Sequence, residues 1–325
     1  MDQVVLGIDI AKKSYQVTLL LTGKSYHRTF SNTPGDFPAL AKWLSKHRVS
    51  QVRACMEATG TWWEALATWL HEQGHRVSVV NPAQIRDYAR SQLRRNKTDR
   101  LDGDVIADFA AQQPPRAWTP PAPELRQLQA LVRYLDDVQG MHTQEVNRLA
   151  SGIPAEAVRQ RLEQHLAFLE QQLLELKTQL LELIEQHPEL QHQQALLSSI
   201  PGIGQLTAAR LVAENLLRFD TTRQLVAYAG LNPQVRQSGT SLHGKPQLSK
   251  IGSSQLRKTL YLPALSAVRH NPLVRALGQR LAERGKCKKS ILGAAMRKLL
   301  CLAFGVLKSG LPFDPHYRDK VHSAT

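Results

Sequence analysis

The order of strand-like and helix-like segments in the first eighty residues constrains the fold most. Three successive runs, at 4–10, 15–21 and 26–30, have the length and the β-branched or aromatic content of strands. An amphipathic helical segment at 37–44 follows. The chain then alternates a strand at 52–56, a helix at 62–72 and a strand at 76–80. Three early strands followed by strand–helix units predict a mixed sheet covered by helices.

Four acidic residues lie where such a sheet would expose them. Asp9 follows the first apolar run and Glu57 follows the run at 52–56, just before a turn signal. Asp99 and Asp102 are three residues apart, so a helix places both on one face. Converging carboxylates repel one another unless a cation lies between them. Because hard divalent cations prefer oxygen ligands, the pattern predicts a site for Mg²⁺ or Mn²⁺.

This order of strands and acids resembles the ribonuclease-H-like fold, whose acids lie on the first strand, the fourth strand and a later helix. Two divalent ions held there assist in-line displacement at a phosphodiester. With water as the nucleophile, the result is hydrolysis of nucleic acid. The alternative for each acid taken separately is a surface carboxylate or a helix cap, and Asp99 after Thr98 fits a cap.

The charge distribution predicts a polyanionic partner. Lys and Arg number 42 against 27 Asp and Glu, which gives a net charge of +15. Residues 232–300 hold fourteen Lys or Arg and a single acid. A second basic cluster lies beside Asp99. A solvated basic surface is the alternative. The cations expected to contact phosphate are Arg94, Arg95, Lys97, Arg236, Lys245, Lys250, Arg257 and Lys258.

The remaining bulk features point to a cytoplasmic protein with no membrane association. No uninterrupted apolar run reaches the roughly 20 residues of a membrane span. The amino terminus carries Asp2 where a signal peptide would be basic. The three cysteines form no CxxC pair, which favours reduced thiols over a zinc site.

A leucine seam follows a proline-rich break at 114–123. Seven leucines alternate spacings of four and three residues: Leu162, Leu166, Leu169, Leu173, Leu176, Leu180 and Leu183. This heptad pattern is typical of a coiled coil. We expect it to drive self-association into a dimer or tetramer. The alternative is a hairpin within one chain, in which the seam folds onto residues 125–138.

The third region combines a glycine turn, a polar loop and basic helices. The turn at 201–204 predicts either a helix-hairpin-helix that binds phosphate or an ordinary helix–helix turn. The loop at 237–252 contains Ser238, Ser241 and Ser249, which the residues alone do not distinguish. A serine there is a candidate nucleophile, and a glycine–serine turn is the alternative. Basic helices are predicted at 255–268, 272–284 and 290–307.

Several motifs together resemble the insertion-sequence-110 family of transposases, the DEDD group described as bridge-RNA-guided recombinases. They are GIDIAK, MEATGTWWE, VVNPAQIRDYA, RNKTDRLD, SIPGIG, YAGLNP, QSGTSLHGKPQLSKIGSSQLRKTLYLPA and ILGAAMRKLL. The resemblance implies a RuvC-like domain whose acids match Asp9, Glu57, Asp99 and Asp102. It further implies a transposase domain whose nucleophilic serine matches Ser238. Oligomers that bring one protomer's acids to another's serine, and a non-coding guide RNA that pairs with donor and target DNA, are also implied.

We therefore predict an α/β plus α protein. A RuvC-like metal domain spans 1–150, a coiled-coil oligomerisation segment spans 151–190, and a mainly helical transposase domain spans 191–325. The predicted function is excision and integration of a mobile element through a phosphoserine link between Ser238 and DNA. Two alternatives stay open: a junction-resolving endonuclease that uses the same acids with water, and a non-catalytic nucleic-acid-binding protein.

Overall fold

The computed structural model describes residues 4–92, 99–153, 155–234, 237–238, 242–243 and 247–316. Within these ranges, the side chains of 99–101, 237–238 and 242–243 are not part of the description. The chain divides into two compact units, Met1–Pro121 and Ala122–Thr325.

The first unit is built on a five-stranded mixed sheet with the order β3-β2-β1-β4-β5. β2 pairs antiparallel with both β1 and β3, whereas β4 pairs parallel with β1 and β5 pairs parallel with β4. This confirms the predicted mixed sheet and is compatible with a RuvC-like domain. The strands are β1 (Val5–Ile10), β2 (Ser14–Leu21), β3 (Lys24–Ser31), β4 (Arg53–Glu57) and β5 (Arg76–Val80).

Helices cover both faces of this sheet, because alternate residues of each strand point to opposite sides. Ile8 and Met56 belong to one apolar cluster with the helices at 37–46 and 64–72, whereas Val5 and Cys55 belong to another with the helices at 82–91 and 99–112. The helices are α1 (Phe37–Lys46), α2 (Glu64–Glu72), α3 (Pro82–Ser91) and α4 (Asp99–Gln112). A short 3-10 helix, Pro34–Asp36, precedes α1.

The second unit contains eight helices and two short strand pairs among its described residues. The helices are α5 (Pro123–Ala150), α6 (Glu156–Glu185), α7 (Pro188–Ser198), α8 (Gln205–Ala213), α9 (Thr222–Tyr228), α10 (Ser254–His270), α11 (Pro272–Glu283) and α12 (Lys288–Ser309). A 3-10 helix, Leu216–Arg218, lies between α8 and α9. β6 (Pro233–Gln234) pairs with β9 (Gln247–Leu248), and β7 (Gln237–Ser238) pairs with β8 (Leu242–His243).

The leucine seam of α6 packs against α5 of the same chain. The five leucines from Leu169 to Leu183 are buried in a cluster that includes Leu128, Leu135 and Val138 of α5. This is the hairpin alternative, and it corrects the expectation that the whole seam faces a second chain. A heptad pattern shows that a helix has an apolar stripe but not which chain supplies its partner.

The predicted domain boundaries at residues 150 and 190 differ from those of the structure. One continuous apolar cluster runs from Leu128 in α5 to Leu307 in α12. The hairpin therefore belongs to the helical unit, and the division falls between Pro121 and Ala122, just before Pro123 begins α5.

The glycine turn between α7 and α8 is tightly packed against the end of α10. Gly202, in the turn between α7 and α8, has a φ of +106° and packs so closely that an added Cβ would lie 2.9 Å from Ala267 Cβ. Asn271 Nδ2 donates to Pro201 O at 3.3 Å. These contacts with the end of α10 favour an ordinary helix–helix turn.

α12 is long and apolar enough to cross a membrane by length and composition. Half of its most apolar window is buried in this unit, however, as in a core helix.

Candidate functional site

Asp9 and Glu57 lie side by side at the ends of two adjacent parallel strands. The register of β1 and β4 pairs Ile8 with Met56, and each acid is the next residue along its strand. Because Ile8 and Met56 are buried in the cluster on one face, the two acids project from the opposite face. Both are half-buried.

α4 lies across that same face of the sheet. A Cβ on Gly7 would be 2.5 Å from both Ala107 N and Gly103 O, so only glycine permits this approach. Nearer the start of the strands, Arg53 Nη2 donates to Ala110 O at 3.2 Å. Moving along the strands toward the acids therefore means moving toward the amino terminus of α4.

The first turn of α4 brings the second pair of acids to this end of the sheet. Asp99 begins the helix and Asp102 is half-buried one turn later. Their spacing places them on the helix face that also carries Gly103 and Ile106. Both of these residues pack against strands of the sheet. Three of the four predicted acids thus have described side chains on one face, and the fourth is placed by its backbone.

A contact that the sequence analysis missed fixes the position of α4. Asp104 Oδ1 accepts a hydrogen bond from Thr18 Oγ1 at 3.1 Å and lies 2.6 Å from His27 Nε2. Thr18 is on β2 and His27 is on β3, so the helix is tied to two strands beyond β1. The only sequence signal was a further acid two residues after Asp102.

The donor set suits a hard divalent cation, since it consists entirely of carboxylate oxygens. Among the side chains that the structure describes, no group of three or more His, Cys, Asp or Glu residues is spaced to hold a metal ion. The side chain of Asp99 is outside that description. As ligands of a metal ion, Asp9, Glu57, Asp99 and Asp102 stay a prediction that rests on their chemical type and on their common end of the sheet.

Ser238 belongs to the helical unit, in a short antiparallel ribbon that the sequence analysis treated as a loop. It lies in β7 opposite Leu242 of β8, and the pair β6–β9 flanks this inner pair along the chain. Ser249 is outside the strands, and its amide donates to Asn232 O at 2.9 Å. Ser241 lies outside the described residues. Among the three serines, Ser238 has a position within a paired strand of the ribbon.

The predicted phosphate-binding cations fall into three groups. Arg94, Arg95, Lys97, Arg236 and Lys245 lie outside the described residues. Lys250 and Lys258 are exposed, as a phosphate contact requires. Arg257 is half-buried, and its guanidinium donates to main-chain carbonyls.

A groove of about 550 Å³ lies next to the ribbon strand β9. Arg257, Lys258 and Lys289 lie among its lining residues, together with Tyr261 and Leu262 of α10. Tyr261 is 49% exposed and Leu262 is 70% exposed. This combination suits a nucleic acid, because the cations can contact its phosphates and the exposed aromatic and apolar side chains can contact its bases. Lys289 and Tyr261 were not singled out from the sequence.

Comparisons with known proteins cover both units. A family model described as "Transposase" matches residues 6–153, and one described as "Transposase IS116/IS110/IS902 family" matches residues 194–279. The pilin gene-inverting protein of Moraxella bovis is 32% identical over 324 residues, which cover 98% of this chain and 100% of that protein. The transposase for insertion sequence element IS1111A of Coxiella burnetii is 26% identical over 307 residues, or 83% of this chain and 79% of that protein.

Proposed function

Because this chain belongs to the IS110 family of transposases, we propose that it cuts and rejoins DNA by attack of Ser238 on the phosphodiester. Membership of the family indicates the general function, which is DNA rearrangement of the kind that moves insertion sequences. The serine nucleophile, the metal ion and the guide RNA are the further parts of the proposal.

The observation that carries the proposal is the common face of Asp9, Glu57 and the first turn of α4. Carboxylates held on adjacent strands by a packed sheet are fixed in place before any substrate arrives. These acids, with Asp99 and Asp102, would hold Mg²⁺ or Mn²⁺. A divalent ion supplies Lewis-acid polarisation of a phosphoryl oxygen and lowers the pKa of a bound hydroxyl.

The covalent step conserves the phosphodiester bond. Ser238 Oγ forms a bond to phosphorus and releases its proton to solvent, while one sugar oxygen leaves and takes up a proton. The protein–DNA phosphoserine link then reacts with the hydroxyl of another strand, which restores the serine. No external energy source is needed. Lys250 and Lys258, which are exposed near the ribbon, are suited to hold the flanking phosphates.

The decisive experiment is detection of a denaturation-resistant protein–DNA adduct with a duplex that carries an element end, in the presence of Mg²⁺. Ser238→Ala should lose the adduct and all strand exchange but keep DNA binding. Asp102→Ala should lose cleavage and keep most binding. Cleavage by Ser238→Ala that yields free 5′-phosphate ends would support the junction-resolving nuclease instead. Binding without any Mg²⁺-dependent cleavage would support the non-catalytic alternative.

The likeness to the pilin gene-inverting protein favours a second outcome of the same chemistry. That relative is 32% identical over its whole length, so the chain is also a candidate for inversion of a DNA segment. Cutting and rejoining at two sites gives inversion or excision according to the relative orientation of the sites. A plasmid pair with the two sites in direct and in inverted orientation separates the two products.

We also propose that the chain self-associates. The candidate interface is smaller than the full leucine seam that the sequence suggested. In the half of the hairpin nearest its turn, Leu162 and Leu166 are only half-buried. Several apolar side chains in the same half are exposed: Met141, Val146, Val158 and Phe168. Phe168→Asp should weaken the oligomer in analytical ultracentrifugation, whereas Gln171→Glu, an exposed polar change on the same helix, should not. An unchanged mass for Phe168→Asp contradicts this interface.

The proposal of a guide RNA rests on the resemblance to the family, and the two separated basic regions are compatible with it. Purification of the protein with its bound nucleic acid, followed by sequencing, tests it. Enrichment of one non-coding RNA supports guidance, and DNA or bulk RNA alone contradicts it.

A further inference from the structure

The ribbon that carries Ser238 joins the helical unit at a foot formed by residues 228–232 and 249–253, and Leu248 of β9 also packs against the apolar cluster of the helices. Three hydrogen bonds join its two arms: Ser253 N to Tyr228 O at 2.7 Å, Ser249 N to Asn232 O at 2.9 Å and Lys250 N to Gly230 O at 3.1 Å. The described strands of the ribbon, including the one with Ser238, come between these arms in the chain. The orientation of the ribbon therefore depends in part on how firmly the foot is held.

The foot has an unusual backbone. Gly230, Lys250 and Gly252 have φ values of +65°, +54° and +130°. A Cβ on Gly252 would lie 2.0 Å from Tyr228 O, so a side chain is excluded there. Lys250 is not glycine, and a left-handed residue with a side chain costs about 1–2 kcal/mol. Surrounding contacts must hold this conformation in place.

Arg257 supplies those contacts. Its Nη1 donates to Ala229 O at 3.0 Å, to Ser253 O at 3.2 Å and to Gly252 O at 3.3 Å. Ala229 lies on the incoming arm, whereas Gly252 and Ser253 lie on the outgoing arm. One guanidinium thus bridges both arms of the foot.

The absence of a side chain at Gly230 lets the guanidinium approach the foot closely, and Arg257 also lines the groove beside β9. A Cβ on Gly230 would lie 2.7 Å from Arg257 Nη1 and 2.8 Å from Ile251 O. Ser253 caps α10, with its side chain accepting from Leu256 N at 3.0 Å, which fixes the turn of helix that bears Arg257. Hydrogen bonds from a charged donor are about twice as strong as neutral ones.

We propose that Arg257 is a positioning residue that holds the foot of the ribbon and thereby orients Ser238. This inference rests on the proposed function in assigning the reaction to Ser238. It replaces the phosphate contact that the sequence predicted for Arg257. Lys258, the next residue and exposed on the same helix, keeps that predicted role and serves as the matched comparison.

The test compares Arg257→Gln, Arg257→Lys and Lys258→Gln in the full chain, with thermal melting as the check on folding. Hydrogen exchange of the amides at 228–232 and 249–253 reports on the foot. In Arg257→Gln we expect at least about tenfold faster exchange there. The rate of adduct formation at saturating DNA should fall about tenfold or more, with less than about threefold change in Kd. Arg257→Lys, which retains the charge but not the planar fork, should recover part of both losses.

Lys258→Gln should give the opposite pattern, with weaker DNA binding, a shallower salt dependence and unchanged exchange at the foot. Arg257→Gln that behaves like Lys258→Gln overturns the proposal. Faster exchange at the foot with an unchanged adduct rate also overturns it. These failures differ from failure of the proposed function, in which Ser238→Ala itself would still form the adduct. If Arg257→Gln does not fold, Arg257→Lys decides by the same measurements.

Discussion

His27 Nε2 on β3 and Asp104 Oδ1 on α4 lie 2.6 Å apart, which joins the edge strand of the sheet to the helix that carries two of the acids. Thr18 on β2 donates to the same oxygen at 3.1 Å. α4 is thus held by hydrogen bonds to β2 and β3, which lie on the opposite side of β1 from β4. None of the four predicted acids takes part in these bonds. The alignment of the acids depends on residues that need not touch the substrate.

Asp104→Ala should therefore impair catalysis through structure. The change leaves Thr18 and His27 without their shared acceptor, which we expect to cost about 1–3 kcal/mol of unfolding free energy. Mg²⁺-dependent cleavage should fall with little change in DNA affinity. Chemical denaturation and cleavage assays measure both. Asp87→Ala, at an exposed residue in surface ion pairs, is the control and should change stability by less than about 0.5 kcal/mol.

Gly7→Ala should separate α4 from the sheet. The added Cβ would lie 2.5 Å from Ala107 N, a main-chain atom that moves only with the helix. We expect a loss of about 1–3 kcal/mol in stability and of Mg²⁺-dependent cleavage. Gly35→Ala is the matched control, because nothing lies within 4 Å of its Cβ position. Equal activity of the two variants would contradict the close packing described here.

Leu173→Ala and Leu174→Ala test the hairpin by comparing adjacent residues. Leu173 is 6% exposed and Leu174 is 67% exposed. Loss of the buried side chain should cost about 2–5 kcal/mol, and loss of the exposed one less than about 0.5 kcal/mol. Urea denaturation at several protein concentrations measures both. A cost for Leu173→Ala that appears only above a threshold protein concentration would show that the seam is buried between chains.

Cys287 should be the first cysteine to react with iodoacetamide at neutral pH. A hydrogen bond from Ser290 lowers the pKa of this exposed thiol, whereas burial raises the pKa of Cys55 to about 12 and also raises that of Cys301. Mass spectrometry of the modified protein identifies the site. Ser290→Ala should slow the labelling of Cys287 and leave the other two thiols unreactive. Simultaneous labelling of all three cysteines in the folded protein would refute this order.

Glu214→Gln should change how stability depends on pH. Burial raises the pKa of Glu214 despite the opposing charges of Arg218 and Arg133, so the folded protein binds the proton more tightly than the unfolded chain. The associated stability is fully present below the ordinary carboxyl pKa and is lost as the pH rises through the folded value. Relative to Glu214→Gln, the wild type should lose stability as the pH rises from about 4.5. Glu185→Gln, at an exposed position, should run parallel to the wild type.

The sheet could be predicted because its strands are short apolar runs with turns between them. The predicted run at 76–80 has the bounds of β5, and the other strands differ by one or two residues at their ends. α3 was missed, although Asn81 followed by Pro82 is a helix start signal and the Asn81 side chain does accept from Ala83 N. Its weak apolar pattern, with only Ile85 and Tyr88 buried, explains the omission.

The neighbouring positions of Asp9 and Glu57 could be predicted, whereas the contacts that hold the candidate site together could not. Each of these acids ends a strand-like apolar run of the sequence, and the register of the parallel strands β1 and β4 aligns them. The tie from Asp104 to His27 spans 77 positions, and no periodicity connects residues so far apart. The hydrogen bonds of Arg257 to main-chain carbonyls were likewise hidden, because a cation that binds carbonyls has the same sequence pattern as one that binds phosphate.

The hydrogen-bonded foot of the ribbon has a consequence for divergence among related chains. Its two ends leave the helices within one hydrogen-bonded ladder, so the intervening segment closes a loop whose ends are already together. Doubling the length of such a loop adds only about 0.6 kcal/mol of closure entropy. An insertion between β7 and β8 therefore costs little loop-closure entropy. Differences in chain length among related proteins are expected to accumulate there first.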